Sequence, residues 1–463
     1  MSDDVAFAGV AEQQRLLARG AISSVELTNL YLGRLEKYGE SYGAVITIMH
    51  DRARAEAKRA DRERASGRVR GPLHGIPYGA KDMLATTGAP TTWGATPYRK
   101  QRLDFDATVV KRLNAAGAVL LAKLAMVELA GGFGYNEADA SFTGPGRTPW
   151  DRNFWSGGSS SGSGAALAAG LVAFAIGSET SGSILYPATF CGVTGLRPTF
   201  GRVSRHGAMA LCWTLDKLGP LARTAADADV VLRAIAGSDP HDAAAVDAPF
   251  PVARRRPRLG ILAKGTRKTM PAVKKNFEAS LRVLEEFCDI TGEVALPDLP
   301  YGAAVGTIVR AEGAAAFREL IESGRSRELR NVNDRTGGYV GYATLAIDYI
   351  DAQRQRTLMR AAFQEAFAPY DAIVAPTLST VAYPIGVKFE EAYPKYPGAA
   401  DLIASGNLTG WPAIGIPNGF GPSNLPTGLS FLGHPFAEAN LAQIARGYQS
   451  RTDFHTRRPT LSS

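Results

Sequence analysis

Leu27, Leu30, Tyr31 and Leu35 return at intervals of three and four residues, which places them on one face of a helix. Ser23-x-x-Glu26 stands just before that run and reads as a capping box. Residues 51–66, DRARAEAKRADRERAS, combine high helix propensity with dense charge and predict a solvent-facing helix. GPLHGIPYGAKD reads as a loop entering a short strand. Ala107 to Ala116 is helical in pattern, and Ala118 to Ala122 (AVLLA) is a continuous apolar run of the kind buried strands show. Further strands are predicted at Arg258 to Leu262, Ala372 to Ala375, Ala413 to Ile416 and Gly428 to Leu432. This alternation predicts an α/β fold with a mixed, mostly parallel central β-sheet covered by helices on both faces. Residues 237–258 carry no periodicity and read as a surface excursion within one domain spanning 1–463. Gly- and Pro-bearing stretches at Arg330 to Tyr342 and Tyr383 to Ala399 predict loops over a pocket.

The run SGGSSSGSG at 156–164 breaks the pattern and admits three readings. A flexible tether has this composition. The next residues, AALAAGLVAFAIGS, are small and apolar, the composition of a helix packed deep in a core, so a tether is poor physics here. The run also holds G-x-S-x-G, the nucleophile elbow of another hydrolase fold. An elbow needs a preceding strand and a later histidine. Pro149 to Asn153 is turn-like, and the six histidines stand isolated along the chain.

Composition narrows the field only a little. The chain has 463 residues, 45% hydrophobic and 21% charged, an ordinary globular balance. Its +8 formal charge concentrates most visibly at Arg254 to Arg258, a short run without interleaved aromatics, so a solvated loop is expected and no nucleic-acid partner. Cys191, Cys212 and Cys288 lack metal-ligand spacing and sit in apolar surroundings, so buried free thiols and a reducing cytoplasm are expected. The N-terminus has no secretory pattern, and the longest weakly polar run, Ala165 to Ile176, is too short for a bilayer, so no membrane partner is expected. No phosphate loop or metal cluster is present in the sequence pattern, and no cofactor is implied.

The third reading of the Gly/Ser run joins it to GIPYGAKD (75–82) and GSETSGSILYPATFCGVTGLRPTFGRVSRHG (177–207). Together the three segments resemble the amidase signature family, hydrolases with a Ser-cisSer-Lys triad that cleave amide bonds. The resemblance extends to LDKLGP (215–220), NLTGWPA (407–413) and PTGL (426–429), with the signature core at about 70–220. It implies the amidase signature fold and a single amidase domain. It places the lysine on Lys81, the cis-serine on Ser159 and the nucleophile on Ser183, with the main-chain N–H groups of Thr180, Ser181, Gly182 and Ser183 as the oxyanion hole.

The implied chemistry is physically coherent. A serine hydroxyl needs a base, and a lysine serves only when its amine is neutral, which burial promotes. Asp82, next in the chain, would oppose this if it faced the amine, so it is expected to point elsewhere. The sequence departs from the family pattern at Ser181, where a glycine is usual, at Glu179 in place of an aspartate, and at Ser161. Ser181 keeps its N–H but lacks glycine's freedom at positive φ. Leu185 and Tyr186 follow the nucleophile with no cation, which disfavours a carboxylate-bearing substrate. Ala130, Gly131, Gly132 and Phe133 align with the family's pocket wall and, with Ser160 and Tyr186, are the expected substrate contacts. The resemblance therefore implies a stand-alone hydrolase, monomer or homodimer, acting on an aryl or apolar amide or carbamate. Two alternatives stay open: an amidotransferase subunit releasing ammonia from glutamine for aminoacyl-tRNA, and an inactive binding protein on the same fold.

Overall fold

The computed structural model describes residues 3–396 and 401–462. Its strands are β1 (Val45–Ile48), β2 (Pro77–Lys81), β3 (Val119–Leu124), β4 (Phe174–Glu179), β5 (Thr194–Arg197), β6 (Lys217–Ala222), β7 (Arg258–Leu262), β8 (Asp289–Val294), β9 (Ala372–Pro376), β10 (Ala413–Phe420) and β11 (Pro426–Gly433). They form one sheet in the order β1-β3-β2-β4-β6-β5-β10-β11-β9-β7-β8. Every residue of β2, β3, β4, β6 and β9 is buried. Successive side chains point to opposite faces, so a strand buried at every position is covered on both sides.

The sheet is mixed, as the pattern predicts, but its parallel pairings are confined to two groups. β3, β2 and β4 run parallel, as do β9, β7 and β8. Between and beside them the pairings are antiparallel, so antiparallel contacts outnumber parallel ones. Buried apolar strands read alike in either direction, which is why sequence pattern overstates the parallel share.

The capping box holds: Glu26 N–H donates to Ser23 Oγ and the Glu26 carboxylate accepts from Ser23 N–H, opening the helix Ser24–Tyr38. The charged segment forms the helix His50–Ala65, and Thr108–Ala115 is a second match. The apolar segment after the Gly/Ser run is not one helix. The helix Ser161–Ala168 starts inside the run, ends at Gly170 in the left-handed region, and the chain re-enters the sheet as β4. Uniform small apolar composition suits both elements and marks no boundary between them.

Residues 237–258 do not float. Asp239 accepts from the hydroxyls of Ser204 and Thr108, and Asp242 pairs with Arg205 at 2.7 Å. In the basic run, Arg255 pairs with Asp371 and Arg256 with Asp289. The three cysteines are buried and unbridged. No helix among the described residues is long and apolar enough to cross a membrane.

The segment Arg330 to Tyr342, predicted as a loop, is mostly the helix Val332–Tyr342, started by the Asn331 side chain accepting from Asn333 N–H. Its glycines serve close packing: a Cβ on Gly338 would lie 2.8 Å from Ile321, and one on Gly341 would lie 2.6 Å from Ala314. In the second predicted loop, Phe389–Ala392 forms one helical turn. Pro397 to Ala399 lie outside the described residues.

Candidate active site

Lys81 ends β2, in the middle of the β3-β2-β4 group, and is fully buried. Its Nζ donates to Ser159 Oγ and to Ser178 Oγ, both at 2.8 Å. Burial pulls the ammonium down to about 7, against the weaker opposing pull of the Asp216 and Glu179 carboxylates. Asp82 is turned away: it pairs with Lys123 at 2.9 Å and accepts from Thr92 N–H. The lysine is thus the kind of amine that can be neutral near pH 7 and accept a proton.

Ser159 sits at the mouth of the helix Ser161–Ala168, and the Gly158–Ser159 peptide bond is cis. The adjacent Ser160 plays a different part from the one expected. Its Oγ donates to Ser178 O and accepts from Ser178 N–H, and its N–H donates to Ser183 O at 3.3 Å. It ties the serine loop to β4 and does not line the cavity.

Ser183 lies in the turn between β4 and the helix Leu185–Cys191, and it lines a cavity of about 370 Å³. Glu179, the last residue of β4, fixes this turn. Its carboxylate accepts from the N–H of Ile184 and of Leu185 at 2.9 and 3.0 Å. It also pairs with Arg197 at 3.0 Å and accepts from Asn407 Nδ2 at 2.7 Å. Arg197 reaches on to the Trp411 carbonyl. One buried network therefore joins segments at 179–185, 197 and 407–411. Burial opposes charge on Glu179, yet Arg197, Asn407 and the Ile184 N–H outweigh it and hold its carboxyl below the ordinary range.

The positive φ in the turn that carries Ser183 falls on Gly182, at 91°, and Ser181 does not share it. The departure at Ser181 therefore meets no backbone conflict. No backbone or side-chain acceptor within the protein takes the N–H of Ser181, Gly182 or Ser183 among the described residues. Unpaired donors converging beside a serine form an arrangement able to hold a developing oxyanion. Thr180 is anchored from behind, its hydroxyl donating to Asp216 Oδ1 at 2.6 Å, while Asp216 also accepts from Leu211 and Cys212 N–H.

The cavity wall is aromatic: Tyr135, Trp155, Tyr186, Tyr383 and Phe389 line it, with Leu211 and Val309. Trp155 and Phe389 stack at 4.8 Å, and Phe389 stacks on Tyr383 at 5.2 Å. Ala130, Gly131 and Tyr186 are in this lining, as expected from sequence. Gly132 and Phe133 are not. Phe133 turns inward onto Phe317, ring edge to face at 5.6 Å, and Gly132 abuts Leu211. The left-handed backbone at Leu129 and Ala130 (φ 50° and 57°) redirects this stretch, and no residue type there announces it.

Ser178, Asp216 and Asn407 lie within recognisable segments, but nothing in those segments assigns them a role. Tyr383 and Phe389 come from the stretch 383–399 that is expected to lie over the pocket, while nothing in the turn-like residues around Trp155 places it at the cavity.

The family model described as Amidase matches residues 26–442. The A subunit of the glutamyl-tRNA(Gln) amidotransferase of Roseiflexus sp. (strain RS-1) is 37% identical, over 98% of each chain. Among solved structures, the native peptide amidase from Stenotrophomonas maltophilia superposes with a TM-score of 0.87 at 32% identity, covering 98% of this chain and 99% of its own. A chain from a vestigial protein complex that reveals the evolutionary origins of an s-triazine catabolic enzyme gives a TM-score of 0.89 at 30% identity, covering 98% and 100%.

Proposed function

From the premise that this chain belongs to the amidase family, we propose that it is a stand-alone hydrolase of an apolar, aryl-bearing amide or carbamate, working through a covalent intermediate on Ser183. Ser183 Oγ attacks the carbonyl carbon while its proton passes to Ser159 Oγ and the Ser159 proton passes to neutral Lys81. The carbonyl oxygen, now an oxyanion, is held by the main-chain N–H groups at 180–183. Collapse expels the amine, which takes the proton back through Ser159. Water then attacks the acyl-enzyme, or the alkoxycarbonyl-enzyme that a carbamate leaves once its amine has gone, by the same relay. A carbamate carbonyl passes through the same tetrahedral geometry, so the triad serves both substrates.

The observation that carries the substrate class is the cavity lining. Five aromatic rings surround the nucleophile, and no charged side chain lies among the lining residues. An apolar ring gains by leaving water for such a wall, while a substrate carboxylate would lose hydration with no cation to replace it.

The second reading is an amidotransferase subunit that releases ammonia from glutamine. It is supported by 37–38% identity to glutamyl-tRNA(Gln) amidotransferase A subunits over nearly the whole chain. The two readings part on one assay. Wild type and Ser183→Ala are compared on an acyl anilide, an N-aryl carbamate and glutamine, following aniline and ammonia. Aniline release by wild type alone supports the hydrolase, and the anilide-to-carbamate ratio sets its preference. Ammonia from glutamine alone supports the subunit reading.

A further inference from the structure

The helices Val332–Tyr342 and Ala346–Phe367 carry apolar surface that the fold leaves uncovered. Of thirteen large apolar side chains exposed among the described residues, eight fall between 332 and 358. Ile347 is 70% exposed and Leu358 is 68% exposed. With Ile350 and Arg354 they follow helical spacing and share one stripe. Ile350, between them, is 56% exposed, so the strip stays apolar over about three turns of the helix. A contiguous apolar strip on a surface helix marks a site of association.

Beside that ridge lies a cleft of about 520 Å³ between the second helix and the helix Tyr301–Ala316. Small residues floor it, among them Ala304, Ala343 and Ala352, and Asp348, Asp351 and Arg310 line it. Asp348, Arg310 and the ridge residue Arg354 make no ion pair among the described residues. One surface thus holds apolar knobs, a hole wide enough for several side chains, a cation on the ridge, and a cleft in which the two carboxylates of Asp348 and Asp351 outnumber the one cation, Arg310. Such a surface complements itself about a two-fold axis, where each contact is made twice.

We propose that this face binds a second copy of the chain, the ridge Ile347–Ile350–Arg354–Leu358 of each protomer entering the cleft of its partner, with Arg354 set against the partner's Asp348. The carboxylates in the cleft make an anionic lipid surface a poor occupant, and the presence of both charges suits an isologous contact.

Sedimentation velocity of the full chain over roughly 1 to 100 μM, the range where moderate affinities resolve, reads the equilibrium directly. Wild type is expected to move as a dimer at the upper end. Ile347→Asp with Leu358→Asp is expected to weaken the dimer by at least about a hundredfold. Both sites are on the surface, so the melting temperature checks that the fold is intact. Arg354→Asp is expected to weaken association about tenfold or more, and adding Asp348→Arg to restore it. A wild type that stays monomeric across the range overturns the proposal, as does a monomer that instead floats with lipid vesicles. A dimer indifferent to both apolar substitutions, or a charge reversal without rescue, also overturns it.

Discussion

Replacing Glu179 with glutamine tests how the turn that carries Ser183 is held. The carboxylate is fully buried and accepts from two consecutive main-chain N–H groups, from Asn407 and from buried Arg197. Glutamine is nearly the same size, so no cavity forms. What is lost is the negative charge, which leaves the Arg197 guanidinium buried without its counterion. Breaking a buried pair from one side costs about 4 kcal/mol. With an unfolding entropy near 2 cal/mol/K per residue, a chain of this size should then lose about 4 °C in Tm. The second consequence is catalytic. The Ile184 and Leu185 N–H groups hold the turn that carries Ser183, and a misplacement near 1 Å costs about a hundredfold in rate. We expect kcat to fall by about that factor while KM changes little, because the aromatic wall is untouched. Differential scanning calorimetry and steady-state hydrolysis of an acyl anilide measure the two effects. A Tm within 1 °C of wild type together with unchanged kcat would refute this reasoning. The sign with pH is also fixed. The Glu179 carboxyl is held below its ordinary range, so its contribution is complete above the unfolded value and disappears as pH falls through the folded one.

Other outcomes rest on the same geometry. Lys81 must be neutral to act and titrates at about 7, so kcat/KM should fall about tenfold per pH unit below 7 and level off above it. Lys217, also pulled to about 7 by burial, contacts the Leu215 carbonyl and no triad residue, so Lys217→Met should keep the same break in the pH profile. Lys81→Ala should lower turnover by about three orders of magnitude or more, and a loss below tenfold would rule out the relay. Trp155→Ala should remove about 2 kcal/mol of apolar contact and raise KM for aryl substrates about thirtyfold, with less effect on acetamide. Asp82→Asn leaves Lys123 buried and unpaired, and should cost about 3 kcal/mol of stability by chemical denaturation while activity at 25 °C persists.

Where local chemistry decides conformation, the chain is readable without its fold. The Ser23 capping box and the strand into Lys81 are of this kind. So is the inference that the amine of Lys81 needs burial and that Asp82 must face away. The Ser181 departure becomes interpretable only with φ in hand, because the side chain alone does not say which residue of the turn needs left-handed backbone. The parallel share of the sheet is overestimated from sequence because an apolar strand buried on both faces carries no mark of direction. Phe133 is misplaced for a related reason: Leu129 and Ala130 adopt positive φ with no glycine to signal it. Tyr383 and Phe389 lie some 200 residues beyond Ser183; composition marks their stretch as cover for a pocket, but not which of its side chains face the cavity. The roles of Asn407 and Trp411 are hidden in the same way, although the segment holding them is recognisable.

The most direct test of the Ser183 mechanism is rapid-quench intact-mass measurement during turnover of an acyl anilide, followed by peptide mapping. The predicted result is an acyl adduct on the peptide bearing Ser183 in wild type that is absent in Ser183→Ala. Turnover at full rate with no adduct on that peptide, or an adduct that persists in Ser183→Ala, would contradict a Ser183 nucleophile.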